Sequence, residues 1–423
     1  MCIRDSIYAV IGLALAYAIH RRGRPVSIRW ALEPLLGEKR VQGWMGDVID
    51  ILAVFGTIAG VATSLGLGVQ QIGAGLAAMG VVESADMTLL IILIVVITFL
   101  ATASVVTGLG RGIKWLSNIN LSLAGILLIA VLLLGPTLFM FQNFIQSLGV
   151  YLANVLNMSF DVGAYQGEEG AAWGAAWTIF YWGWWVSWAP FVGVFIARIS
   201  RGRTVRQFVA GVLLVPTTVG FFWFSVMGGA GLFRQLFGEG GLVDPEEGVI
   251  AESALFDLLA DMPIGGILSV MAIVVIAIFF ITSSDSGSLV VDMLASGGHP
   301  NPPTWSRVTF AVLEGLIAAA LLLAGGLTVI QAAGLITALP FSVILILMAI
   351  ATVKAMRTDL EQMQDRELEQ RYRRVSEMLQ EDFDSRFGEQ VDTRVDHRID
   401  YRLSRTTGPV TGRFRRLKGN EKK

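Results

Sequence analysis

The chain has 423 residues, of which 54% are hydrophobic and 16% are charged, with a formal net charge of −2. Soluble domains carry roughly 25% charged residues, so water is not the main solvent of this protein. The charges are segregated along the chain rather than pooled on one surface, which gives no reason to expect a nucleic-acid partner.

A bilayer core of ~30 Å needs roughly 20 residues of helix to cross it and excludes open sheets. Hydrophobic runs fall near 7–19, 45–80, 88–110, 119–146, 171–197, 206–233, 264–296, 306–326 and 328–354, predicting an all-α membrane protein of about nine spans. The second and seventh exceed a minimal span and are expected to tilt or break. The first, about 13 residues, has the length of a signal-peptide core or a buried helix. No small-residue cleavage site follows it, only His20-Arg21-Arg22-Gly23-Arg24, so it reads as the remainder of a span whose beginning is altered or missing.

Lys and Arg are retained on the cytoplasmic side of a membrane. Arg21, Arg22, Arg24, Arg29, Lys39 and Arg40 follow the first run, and every second loop repeats the pattern: Arg111 and Lys114, then Arg198, Arg201, Arg203 and Arg206, then Arg307, then the tail. The intervening loops are acidic, with Glu246, Glu247, Asp257 and Asp261 forming either a solvated loop or a cation-attracting outer surface. This alternation predicts a cytoplasmic C-terminus. From about Met356 the composition turns to dense mixed charge, expected to form a solvent-exposed helix stabilised by pairs three and four residues apart and fading into a basic end at 413–423.

Chemistry-bearing residues are sparse. Cys2 stands alone, which excludes an intramolecular disulfide or a cysteine metal site, and His20, His299 and His397 have no ligand neighbours. With no nucleophile–base constellation and no phosphate-binding glycine loop, neither enzymatic activity nor a cofactor is expected. Tryptophan is concentrated in one run, and Trp177, Tyr181, Trp184, Trp185 and Trp188 fall on a single helical face. A face of indoles suits a permanently charged organic cation, held by ring quadrupoles at about 0.5–2 kcal/mol per contact. Packing between helices is the other reading of the same face. Gly183 and Pro190 predict a discontinuity in this helix, the kind of element on which transporter sites are built. Asp285 is expected to be a solvated residue near a helix end, with a role in ion coupling as the alternative.

The run from Trp177 to Phe191, continued by Val192-Gly-Val-Phe-Ile-Ala-Arg-Ile-Ser-Arg-Gly-Arg-Thr-Val-Arg-Gln-Phe208, resembles the signature of the betaine/choline/carnitine transporter family. Asp50–Ala53, Ser64–Gly68, Gln71–Gly75 and Phe279–Ser286 resemble it too, so the likeness covers roughly 7–355, with Met1–Ser6 unlike anything in the family and 356–423 left as a charged tail. The resemblance implies an inverted-repeat sodium-symporter bundle, a homotrimer in the cytoplasmic membrane, and uptake of a quaternary-ammonium solute such as glycine betaine with Na+ as coupling ion. It implies an aromatic box of Trp184, Trp185 and Trp188 with Phe180 nearby and Tyr8 from an earlier helix. It also implies a sodium site at Phe279, Thr282 and Ser283, where hydroxyls bonding back to their own helix are the alternative reading of the residues themselves. A second sodium site would use Thr57 and Phe191, but its further threonine position is Val61 here. Sodium-independent exchange, proton-coupled carriage of choline or carnitine, and an inactive fragment lacking its first helices are the alternatives.

Overall fold

The computed structural model describes residues 2–107, 110–244 and 248–406; Glu246, Glu247 and 413–423 lie outside the described residues. Described residues outside helices form turns and loops, with one isolated bridge between Asp244 and Gly248. Two units are distinct, Met1–Ala355 and Met356–Lys423.

In the first unit, α1 spans Cys2–Ala16 and continues as a π-helical turn, Tyr17–Arg21. It is therefore longer than the hydrophobic run at 7–19. The polar residues before Ile7 join it because Asp5, 2% exposed, accepts from Thr217 Oγ1 at 2.7 Å and pairs with Arg4 at 2.9 Å. Short helical turns at Ile28–Leu32, Glu33–Leu36 and Glu38–Val41 lead to α2, Trp44–Ala78. Arg29 is more than a topology signal: its guanidinium bridges Asp47 at 2.8 Å and the buried Asp50, whose carboxylate also accepts from the Ser27 hydroxyl at 2.5 Å.

Next come α3, Met87–Thr107, α4, Gly110–Leu134, and α5, Thr137–Phe160. The expected span at 119–146 is corrected here, since the helix stops at Gly135-Pro136. Proline has no N–H to continue the ladder and disfavours helical backbone before it. The resulting α5 is too polar to count among the spans, and it lies along α7, Val205–Phe237, through Phe139–Phe233 (5.2 Å), Phe144–Phe222 (6.0 Å) and Tyr151–Phe221 (5.3 Å). Between them is α6, Gly167–Ile199. Its irregular part is a π-helical stretch, Gly174–Ile179, whereas ordinary α-helix runs through both Gly183 and Pro190. The discontinuity expected at those two residues is displaced toward the N-terminus. Gly183 instead lets Leu335 pack closely.

The short α8, Ala254–Ala260, precedes α9, Gly265–Ala295. The long helix Thr304–Phe383 is broken at Gly325 and Gly326, the latter at φ 68°, ψ −151°, backbone open essentially to glycine alone. We label its limbs α10, 304–324, and α11, 327–355. Ser306 of α10 bonds Asp292 near the C-terminal end of α9, while Met348 and Ala351 of α11 join a core with Met293 and Leu294 at that same end. The limbs thus form a hairpin. Among the described residues eight helices are long and apolar enough to span a membrane, and counting this hairpin as two passes gives the nine expected.

Three cores hold the bundle. One joins α1, the 28–32 turn, α2, α6, α9 and α11. A second joins α4, α5, α7, α8 and α9, and a third joins α2, α3, α10 and α11. In the second unit, Met356–Lys423, the described part is helical and ends in α12, Glu389–Thr406, with its charged face and apolar residues alike exposed.

Candidate functional site

Because α2 is rich in glycine, neighbouring helices approach it closely. A Cβ at Gly60 would lie 2.7 Å from Trp188 Cδ1, so only glycine lets α6 seat its indole there. Trp188 Nε1 then donates to the Gly60 carbonyl at 2.7 Å and to Ser64 Oγ at 2.8 Å. Trp184 Nε1 donates to the same hydroxyl at 3.2 Å, and Ser64 itself donates to Gly60 O at 3.0 Å. Both indole N–H groups are satisfied on the α2 side, where leaving one unpaired would cost about 1–3 kcal/mol.

A cavity of about 480 Å³ opens beside these rings, a size typical of small-molecule sites. Tyr8 of α1, Tyr181, Trp184, Trp185 and Trp188 of α6, and Phe279 and Phe280 of α9 wall it. Tyr181 meets Trp185 edge-on at 5.9 Å, so the rings present a mixture of faces and edges. Of the five predicted box residues, four line the cavity. Phe180, 8% exposed, does not; it stacks behind Trp184 at 5.8 Å and 16°. Trp177 stacks on Tyr181 at 5.6 Å, and Trp182, on another face, is exposed.

Sequence patterns left out Ser64, Leu67, Gln71, Phe280 and Glu252, all cavity residues. Ser64, Leu67 and Gln71 recur at i, i+3 and i+7, so two polar side chains on one face of an otherwise apolar helix were the available signal. Glu252 lies in an irregular segment, where no periodicity marks it. Arg4 also reaches the lining, paired with Asp5.

The Thr282 hydroxyl donates to the carbonyls of Ile278 (2.9 Å) and Phe279 (3.0 Å), bonding back to its own helix while keeping its lone pairs available. Ser283 is half-buried. Thr57 bonds back to Ala53 O at 2.8 Å and follows Gly56, whose carbonyl accepts from Ser187 of α6; Phe191 packs edge-on against Trp188 at 4.8 Å. Both therefore belong to the α2–α6 seam. Asp285 is not the solvated residue expected: it is 1% exposed, accepting from Ser104 at 2.7 Å and pairing with Arg307 at 2.8 Å. Burial is tolerated because both oxygens are occupied.

Comparison with known proteins gives the same direction. The model of the betaine/carnitine/choline family transporters matches residues 4–361. An uncharacterized transporter of Mycobacterium tuberculosis is 50% identical over 358 residues, 84% of this chain and 59% of its own length. A glycine betaine transporter of Acinetobacter baylyi is 43% identical over 361 residues, 85% of this chain and 54% of its own. A glycine betaine/proline/choline transporter of Vibrio parahaemolyticus is 44% identical over 356 residues, 83% and 62% respectively. The chain thus spans less than two thirds of the length of these curated relatives. With a signature helix that walls a cavity in indoles and a family match running from residue 4 to 361, this chain belongs to the betaine/carnitine/choline transporter family, a family of membrane transporters and not of enzymes.

Proposed function

We propose that the protein is a secondary transporter that takes up a quaternary-ammonium compatible solute, glycine betaine foremost, across the cytoplasmic membrane with sodium as the coupling ion. The observation that carries this reading is the cavity walled by Tyr8, Trp184, Trp185 and Trp188. A trimethylammonium group cannot donate hydrogen bonds, so ring quadrupoles are its natural partners. Tryptophans tethered through their N–H groups keep their π-systems in place without reorganising when the solute arrives.

Phe279 and Thr282 support the sodium part. Thr282 lies one turn from Phe279, whose ring is in the solute cavity, so an ion bound there and a solute would share one helix. Alternating access, a homotrimer and a cytoplasmic C-terminus complete the reading. Sodium-independent exchange, or proton-linked carriage of choline or carnitine, is the second reading; Val61 at the threonine position of the second implied sodium site favours it, as does Glu252 in the cavity, a carboxylate suited to a cationic solute.

Uptake of radiolabelled glycine betaine into transporter-deficient cells, with and without sodium, tests this in the natural reading frame of the chain. Sodium-dependent uptake supports the leading reading. Uptake indifferent to sodium favours the second, and no uptake of betaine, choline or carnitine removes both.

A further inference from the structure

A second polar cluster lies inside the bundle, and none of its members lines the solute cavity. From α9 come Ser284, Asp285, Ser288 and Asp292, from α3 Ser104, and from α10 Ser306, Arg307 and Glu314. Glu314 is the least satisfied member. It is 0% exposed, and among the described residues its Oε2 accepts only a long bond, 3.3 Å, from Ser284, while Oε1 has no partner. Gly287 faces it across the seam: a Cβ there would lie 3.7 Å from Oε1.

Glu314 and Asp285 share the seam with one guanidinium, Arg307, which pairs with Asp285. Seven residues separate Arg307 from Glu314 along α10, two helical turns or roughly 10 Å. Asp292, two turns beyond Asp285 on α9, accepts on Oδ1 from Ser306 at 2.6 Å and Ser296 at 3.4 Å, while its Oδ2 has no partner among the described residues. Against this seam α2 presents Val61, and α3 presents Thr98 and Ser104, none of them titratable. An ionised Glu314 therefore has no cation to face among the described residues, and a lone carboxylate in a membrane interior is costly by several kcal/mol.

We propose that Glu314 is a proton-binding site of the membrane-spanning unit: it holds a proton while α9 and α10 are packed, and exchanges it with water when that seam opens. The proton removes one unit of the seam's excess negative charge, and release leaves a carboxylate that must be hydrated. Protonation thereby favours the closed seam of the helix that also carries Phe279 and Thr282. The inference is independent of which solute is carried.

Infrared difference spectroscopy on the purified protein in lipid, in its natural reading frame, reads the site without any transport assay. The expected result is a protonated-carboxyl C=O band at neutral pH that fades as pH rises at fixed sodium and is lost in E314Q. The amide keeps the shape and neutrality of the protonated acid, so E314Q should unfold within a few degrees of wild type. If it does not fold, E314D is the second variant, and the band should shift in frequency. A band absent at every pH where the protein is folded, unchanged in E314Q, or abolished by sodium at constant pH would overturn the proposal, the last by making the site one for an alkali cation.

Discussion

Trp188 and Ser64 are joined by a 2.8 Å hydrogen bond from the indole N–H to the hydroxyl, and that hydroxyl also accepts from Trp184 at 3.2 Å while donating to Gly60 O. One small side chain thus fixes two walls of the cavity. In Ser64→Ala, Trp188 retains its bond to Gly60 O but Trp184 loses the hydroxyl that accepts its N–H. Under the betaine reading, KM should rise roughly tenfold, corresponding to about 1–2 kcal/mol for a buried unpaired donor, with little change in the amount of folded protein. Uptake kinetics beside quantitation of the membrane-inserted protein check this.

If the rings act through their quadrupoles, the loss in a ring variant must depend on the charge of the solute. Trp185→Leu keeps an apolar wall but removes the π-face, and about 0.5–2 kcal/mol per contact predicts a roughly twofold to ~30-fold loss of affinity. A neutral tert-butyl isostere should lose much less. Competition of both compounds against labelled betaine separates the cases; equal losses would assign the stripe to packing alone.

Gly60 and Gly125 make a matched pair. A Cβ at Gly60 would stand 2.7 Å from Trp188, whereas one at Gly125 would meet nothing within 4 Å. Alanine generally favours a helix over glycine by about 1 kcal/mol, so Gly125→Ala should be neutral or stabilising. Gly60→Ala should displace the Trp188 ring, destabilise the protein by about 1–3 kcal/mol, and abolish or severely reduce uptake. Thermal unfolding in detergent, compared across the two variants, is the direct readout.

This contrast marks what the sequence could and could not disclose. The hydrophobic runs and the indole stripe were legible because both are periodic along one helix. So was the count of nine apolar spans among the described residues, although Gly135-Pro136 divided a run that hydropathy alone joined. Asp285 was not legible: its burial depends on Ser104 and Arg307, 181 and 22 residues away, and nothing local announces them. Glu252 escaped because it lies in an irregular segment, where no periodicity marks it. Ser64 is intermediate, since its place on a polar face could be read but its two indole partners, 120 and 124 residues on, could not.

Arg29 supplies a prediction about assembly. Its guanidinium bridges Asp47 and the 4%-exposed Asp50, closing the 28–41 turns onto the start of α2. Removing one partner of a buried pair leaves an uncompensated charge, a loss of about 3–5 kcal/mol. Arg29→Ala should therefore reduce the folded protein recovered from membranes well below wild type. Double replacement with Asp50→Asn should recover much of it, because the orphaned charge is gone. Recovery equal to wild type in the single variant would show that the remaining donors, Ser27 Oγ and Arg29 N–H, suffice.

Thr282 and Ser283 allow the ion to be tested separately from the solute. The Thr282 hydroxyl is positioned by the carbonyls of Ile278 and Phe279, so its removal leaves the α9 backbone ladder intact and takes away a hard oxygen ligand. Under the sodium reading, Thr282→Ala and Ser283→Ala should each raise the sodium concentration for half-maximal uptake severalfold, and the double variant further. Betaine affinity at saturating sodium should remain near wild type, because neither residue lines the cavity. A loss of betaine affinity that no amount of sodium restores would mean that these hydroxyls shape the cavity through α9 packing; the coupling ion would then have to be sought elsewhere in the fold.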